Sequence, residues 1–404
     1  MGRPTTGAVT RAVLLTAGAA LACTPAPPPT EPTPSPVVKP DWRPVTSYLD
    51  SAVAAGAAPG AVLGVSVGGA RFLYATGQMG ADDPAPVDPA TVYDLASVTK
   101  VVGLTTAVML AVEENKLELD TQVQRYVPGF TGAGKDGVTL RMLLAHTGGL
   151  PAWRPLFRET ESRAAAVELA VETPLESPPG TREVYSDLGL IILTHVVESL
   201  YGERLDTLLE RRVLGPLGLQ SLRFLPPPDG RLRIAPTELQ PWRGRVLRGE
   251  VHDENAARMD GVSGHAGLFG SAPDLLTFAE WMLEGGKEGT KEGGAATAQS
   301  SLVPSVPHSL FQTFTRRQEL VPGSSRALGW DTPTPGGSAG SLLSPDSFGH
   351  TGFTGTSLWI DPKRQLAIVL LSNRVNPTRD NPRWNPVRGR IADLVMTTLF
   401  EDAR

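Results

Sequence analysis

The chain has 404 residues, with 37 Lys and Arg against 42 Asp and Glu, a net charge of −5, and 41% hydrophobic content. That length supplies a full core without staples, and the single cysteine, Cys23, excludes a disulfide framework and a cysteine-ligated zinc site. The acidic balance argues against nucleic acid as a partner.

Arg3 and Arg11 precede an uncharged run from Ala12 to Ala22, whose 11 residues are too few to span a bilayer but suit the apolar part of a secretory leader. Residues 1–22 are therefore expected to be a signal peptide. The run ends Ala20-Leu21-Ala22-Cys23, which resembles a bacterial lipoprotein cleavage box with its leucine one place out of register. Cys23 is thus a candidate lipidation site, and the alternative is a plain signal peptide with an incidental cysteine. Thr24 to Pro40 carries 8 prolines in 17 residues, a semi-rigid spacer, so residues 23–40 read as anchor and linker. The expected location is the bacterial cell envelope, with the membrane reached through a lipid on Cys23.

From Asp41 onward the pattern is that of one domain, residues 41–404. Asp41 to Ala55 has helical spacing, and two strand-like runs, 61–67 and 71–75, flank Gly68-Gly69 as a hairpin. Helical patterns follow at Val101 to Val112, Ala164 to Val171, Leu188 to Leu200 and Asp274 to Leu283. Glu284 to Ser301 reads as a solvated loop without chemistry. A second hairpin, 356–360 and 366–371, turns at Asp361-Pro362-Lys363-Arg364, and a last helix runs from about Val387 to Phe400. The simplest assembly is an α+β fold: an antiparallel sheet from both chain ends, flanked by helices, with a mostly helical inserted subdomain.

Three motifs carry candidate chemistry. Ser97-Val98-Thr99-Lys100 opens an apolar helix; three residues apart, the Ser97 hydroxyl and the Lys100 amine share a face. Burial disfavours an ammonium, so Lys100 is a candidate acceptor for the Ser97 proton; a helix-capping serine beside a snorkelling lysine is the bland alternative. Tyr185-Ser186-Asp187 follows a Pro-Pro-Gly turn, and a phenol can act as a base only beside a cation such as Lys100; a buried tyrosine beside a helix-capping Asp187 is the alternative. Gly349-His350-Thr351-Gly352-Phe353 leads into the last hairpin, where small residues at a strand edge let a substrate pair as an extra strand. The N–H after Gly352 can then join that of Ser97 as an oxyanion hole. A second His-Thr-Gly, at His146-Thr147-Gly148, ends a helix and reads as structural.

S-x-x-K, then Y-x-[ND], then [HK]-T-G before a C-terminal hairpin resembles the serine β-lactamase and penicillin-binding-protein superfamily. Within it, the chain is most similar to class C β-lactamases, D-alanyl-D-alanine carboxypeptidases and related esterases, over about residues 42 to 400. The stretch from Gly249 to Ala272 resembles a carboxypeptidase-like envelope subgroup. The resemblance implies an acyl-enzyme on Ser97, proton transfer by Lys100 and Tyr185, substrate lining by Asp187, His350, Thr351, Gly352 and Phe353, and no cofactor or metal. It implies cleavage of an amide or ester bond in a D-Ala-type or peptidoglycan peptide, a small ester or a β-lactam.

Two departures matter. Asp187 replaces the usual asparagine and is expected to hold Lys100 protonated, which moves base duty toward Tyr185. His350 replaces the usual lysine, so carboxylate attraction is expected to be weak at neutral pH and to switch on in mild acid, unless another cation such as Arg374 supplies it. Other chemistries have weaker support. Gly64-Val65-Ser66-Val67-Gly68 has nucleophile-elbow spacing but sits in a strand before a hairpin turn, and His252, Asp253 and His265 lack an i, i+4 histidine pair for a metal. The non-enzymatic alternative is an envelope lipoprotein that binds peptidoglycan peptides or a partner without turnover.

Overall fold

The strand-like apolar runs form one antiparallel sheet whose strands come from opposite ends of the chain. Strands β1 (Gly60–Val67) and β2 (Ala70–Gly80) make the first hairpin, and β3 (Asp83–Pro86) lies on its outer side. Strands β4 (Phe348–Thr351), β5 (Ser357–Asp361) and β6 (Leu366–Ser372) come from the far end. The order β3-β2-β1-β6-β5-β4 joins the two halves at the centre, where Ala61 pairs with Ser372 and Val67 with Leu366. The computed structural model describes residues 1–2, 40–285 and 306–400. Nearly all of the expected leader, Cys23, the proline-rich linker and most of the 284–301 loop lie outside the described residues.

The principal helices are α1 (Arg43–Ala54), α2 (Thr106–Glu113), α3 (Asp187–Tyr201), α4 (Ala272–Gly285) and α5 (Asn385–Leu399). Side chains alternate across β1, so Ala61, Leu63 and Val65 face a core closed by Val45 and Leu49 of α1 and Val387, Ile391 and Val395 of α5. Each of the valines, leucines and isoleucines contributes roughly 1.5–3 kcal/mol on burial. The other face packs on α4, where Gly64 leaves room for Leu276. Here Ser66 is buried and donates to Glu280 Oε1 at 2.6 Å, so the elbow-like serine is a sheet-to-helix tie.

Between the hairpins the chain is mainly helical, as its 3.6-residue spacing predicts. The segment Ala96–Glu113 is long and apolar enough to cross a bilayer, but it lies buried in the protein core. Two elements escaped the pattern. The β3 run, with Pro84 and Pro86, has no strand alternation yet suits an edge, where prolines forfeit no ladder bond. A short sheet pairs Tyr93 and Asp94 with Phe269 and Gly270, and this sheet carries the chain into Ser97.

Candidate active site

The Ser97 turn is built by the residues that precede it. Asp94 is buried, and its two carboxylate oxygens accept the Ala96 N–H at 2.8 Å and the His252 N–H at 2.6 Å. Those bonds hold Ala96 at φ 46°, a left-handed conformation costly for a residue with a Cβ. Ser97 then sits in a tight 3-10 turn, Ala96–Val98, and Lys100–Thr105 forms a wide π turn before α2, not the regular α-helix start expected. The wide turn has a local cause: Thr105 and Thr106 donate their hydroxyls to the carbonyls of Lys100 and Val101, five residues back. Ser97 and Lys100 still meet, with Nζ 2.8 Å from Oγ.

Tyr185 arrives from the start of α3. Ser186 caps that helix and donates to Pro151 O at 2.6 Å, so Ser186, not Asp187, is the cap, and Asp187 faces Lys100 instead. Asp187 Oδ1 lies 2.8 Å from Nζ, at an angle poor for a hydrogen bond, so the contact is chiefly coulombic. The Tyr185 phenol sits against both Lys100 and Ser97, with Nζ 5.0 Å from the centre of its ring. His146, from the second His-Thr-Gly, lies beside this cluster. Its ring packs 4.7 Å from that of Tyr185 and its Nδ1 accepts the Ser186 N–H, so this copy supports the tyrosine loop.

The third wall is the outer edge of β4, where Gly349 exchanges two main-chain bonds with Asp331 and residues 350–353 face the pocket. Thr356 donates to Leu95 O at 3.0 Å and Thr354 to Asp94 O at 2.7 Å, tying this edge to the Ser97 turn. A Cβ on Gly352 would lie 2.4 Å from Leu95 O, so only glycine permits the approach. Between these walls opens a pocket of about 370 Å³ lined by Ser97, Tyr185 and residues 350–353. The Phe353 N–H has no acceptor among the described residues, as an oxyanion donor requires.

The same pocket is lined by Arg326, Asp331, Arg374, Asn385 and Arg388, of which only Arg374 was singled out from sequence. Arg388 donates to Gly352 O at 2.7 Å and Arg374 to Phe353 O at 2.9 Å, yet neither guanidinium has an ion-pair partner among the described residues. Burial, and then the neighbouring Arg374, push Arg388 down to about 10. Arg326 is paired with Glu183 and lies over the Tyr185 ring.

Two electrostatic expectations change here. Burial does disfavour the Lys100 ammonium, but the Asp187 carboxylate and Tyr185 outweigh it and raise Lys100 above its ordinary value. Lys100 is therefore charged, as the Asp187 departure implied, and is not the desolvated free amine that burial alone suggested. His350 is driven well below the usual imidazole range by burial and by the positive charges of Lys100 and Arg326. It stays neutral in mild acid, with Nδ1–H donating to Thr351 O at 2.7 Å, so its charge cannot switch on there. Burial also raises the Tyr185 phenol, although Lys100 opposes that shift.

His252, Asp253 and His265 do not converge on a metal. His252 Nε2 lies 2.9 Å from Glu238 and His265 Nε2 2.9 Å from Asp253, each ring held by its own carboxylate.

Residues 45–393 match the family described as Beta-lactamase. The chain belongs to that family. A 333-residue alignment at 34% identity, covering 76% of this chain and 74% of the relative, matches a protein of Escherichia coli K12 named "Putative D-alanyl-D-alanine carboxypeptidase". A protein of the same name from Salmonella typhi is 35% identical over 331 residues, covering 73% of this chain and 72% of the relative. Among solved structures, a penicillin-binding-protein homologue from Caulobacter crescentus matches with TM-score 0.69 at 19% identity, covering 89% of this chain and 97% of that one. A class C beta-lactamase from Rhodobacter sphaeroides matches with TM-score 0.65 at 21% identity, covering 89% and 100%. These neighbours share the α+β architecture of sheet and inserted helices. The beta-lactamase family is one of serine hydrolases, so the chain is a beta-lactamase-like hydrolase in fold and family.

Proposed function

We propose that the protein is an envelope serine hydrolase of carboxypeptidase type, which forms an acyl-enzyme on Ser97 and releases the terminal residue of a D-alanyl-D-alanine peptide. The observation that carries this reading is a pocket that joins the Ser97, Lys100 and Tyr185 cluster to two arginines without ion-pair partners, Arg374 and Arg388. A peptide's terminal carboxylate would complete that pair of cations. The relatives' name is consistent with it.

The Tyr185 phenolate, stabilised by the Lys100 ammonium, takes the proton of Ser97 as Oγ attacks the substrate carbonyl. The N–H groups of Ser97 and Phe353 receive the negative oxygen. When the C–N bond breaks, the phenol returns its proton to the departing amine, which leaves as a free D-amino acid. Water then gives a proton to the phenolate and attacks the ester, and the phenol passes that proton to Ser97 Oγ as the ester bond breaks, which restores the phenolate. Export and a lipid on Cys23 would place the reaction at the envelope. Small esters lacking a carboxylate would react at Ser97 without using the arginines.

The test is mass measurement of Ser97 acylation by a fluorescent penicillin, with D-alanine release from a D-Ala-D-Ala peptide, in wild type and Ser97→Ala. The expected result is acylation and release in wild type and neither in the variant. Acylation elsewhere, or release by Ser97→Ala, would exclude the reading.

A further inference from the structure

The His252 to His265 segment lines no part of the pocket, but it determines where Lys100 points. Lys100 Nζ makes two directional bonds, to Ser97 Oγ at 2.8 Å and to the main-chain oxygen of His265 at 2.9 Å. Its contact with Asp187 is a charge attraction, which tolerates a range of directions. One carbonyl therefore fixes the aim of the ammonium.

That carbonyl is itself held by the side chain of its own residue. His265 is 1% exposed; Nε2 donates to Asp253 Oδ1 at 2.9 Å and Nδ1 lies 2.8 Å from Ser263 Oγ. Asp253 is fixed in turn, because Oδ1 also accepts the Ala256 N–H at 2.7 Å as the cap of the helix Glu254–Arg258. The main chain between Ser263 and His265 has no slack. Gly264 N–H donates to Thr194 Oγ1 at 2.9 Å, and a Cβ there would lie 2.6 Å from Leu104. Thr194 belongs to α3, the helix that also carries Asp187, so both restraints on Lys100 share one rigid element. Burial opposes the Asp253 charge, but His265, and more distantly Lys100, keep its carboxyl far below the ordinary range.

We propose that Asp253 and His265 are positioning residues for Lys100, holding the His265 carbonyl where the ammonium must dock to reach Ser97 and Tyr185. The inference rests on the reading that Ser97 is acylated. If the carbonyl moves, the ammonium swings toward Asp187 and leaves the hydroxyl. A displacement of about 1 Å at such a position costs on the order of 100-fold in rate.

Three variants test this. Asp253→Ser keeps a capping oxygen for Ala256 but is too short to reach His265. His265→Asn loses the atom that meets Asp253, whereas His265→Gln places an amide nitrogen near the position of Nε2. The readouts are Ser97 acylation by a fluorophosphonate, kcat and KM on a p-nitrophenyl ester from pH 6 to 10, and the melting temperature. Asp253→Ser and His265→Asn should each lower kcat and acylation about 100-fold with KM within twofold. Both should move the rise of kcat to higher pH, because the phenolate loses its cation, and His265→Gln should recover most of the loss. Wild-type kcat and pH profile in either folded variant would overturn the inference. So would equal losses in all three that track melting temperature, which mark a merely structural role. Ser97→Ala runs in parallel: labelling of that variant would sink the acyl-enzyme reading itself, a result distinct from the failure of the positioning role.

Discussion

Asp187 Oδ1 lies 2.8 Å from Lys100 Nζ, and this pair outweighs the burial that would otherwise neutralise the lysine. Lys100 is 1% exposed while Asp187 keeps 17% of its side chain open, so the ammonium is sealed from water and its partner residue is only partly so. Lys100→Met should therefore reduce turnover about 1000-fold, within the range for lost proton-transfer groups, while the fold survives. The melting temperature should fall by a few degrees, as a partly solvated Asp187 loses its partner. Turnover within tenfold of wild type would mean that Lys100 is only a buried counter-ion.

The pH profile follows from the raised phenol. With Tyr185 shifted above its ordinary value of 10, the phenolate is scarce near neutrality and its population grows with pH. Ester kcat/KM should climb steadily from pH 6 to 9.5 without a histidine-like step near 6.5. A plateau from pH 7 upward would assign the base to another group.

Carboxylate recognition is expected to reside in Arg374 and Arg388. Arg388→Ala should raise KM for a D-Ala-D-Ala peptide by about 10- to 100-fold, the worth of a charge-assisted bond, and leave an uncharged ester within threefold. Because His350 remains neutral, peptide and ester should show the same pH dependence from 5.5 to 8. Equal effects of Arg388→Ala on both substrates would remove the arginine from substrate binding.

Stability in acid should depend on Glu238. Burial opposes its charge, but bonds from His252 and Arg379 prevail and hold it at about 2, against an ordinary 4.5. A lowered carboxylate stabilises the fold fully above its unfolded value, and that contribution drains away as pH falls through the native one. Glu238→Gln should cost roughly 1.5–3 kcal/mol at pH 7. Calorimetry at pH 7, 4 and 2.5 should find the gap between wild type and variant closing below 4.5. A constant gap would contradict the linkage.

The fold was legible wherever side-chain period and turn chemistry coincided. Residues 61–67 and 366–371 are short apolar runs bounded by the turns Gly68-Gly69 and Asp361-Pro362, and both hairpins appear with those turns. The cluster of Ser97, Lys100, Tyr185 and His350 could be assembled from local motifs because each motif sits at the end of a regular element. Arg326 and Arg388 could not be found that way. Each is one of many arginines, and only the placement of α5 beside Gly352 and of the 326–331 segment beside Gly349 turns it into a pocket wall. Charge states were also hidden: burial predicts a neutral Lys100, and only the distance to Asp187 reverses the sign. The role of His265 is harder still to foresee, because the acting atom is a carbonyl that every residue possesses.

The central pairing of β1 with β6 has a consequence for how the chain is made. Strand β1 is synthesised early, but its partner ends at Ser372, so one flank of the strand stays bare until nearly the whole polypeptide is available. Such late, distant closure delays cooperative folding. The first hairpin can form early through β1 and β2, but the sheet cannot close across its centre until residues 366–372 have been made. A product truncated before residue 366 would lack the strand that joins the two halves and would leave the apolar flank of β1 bare.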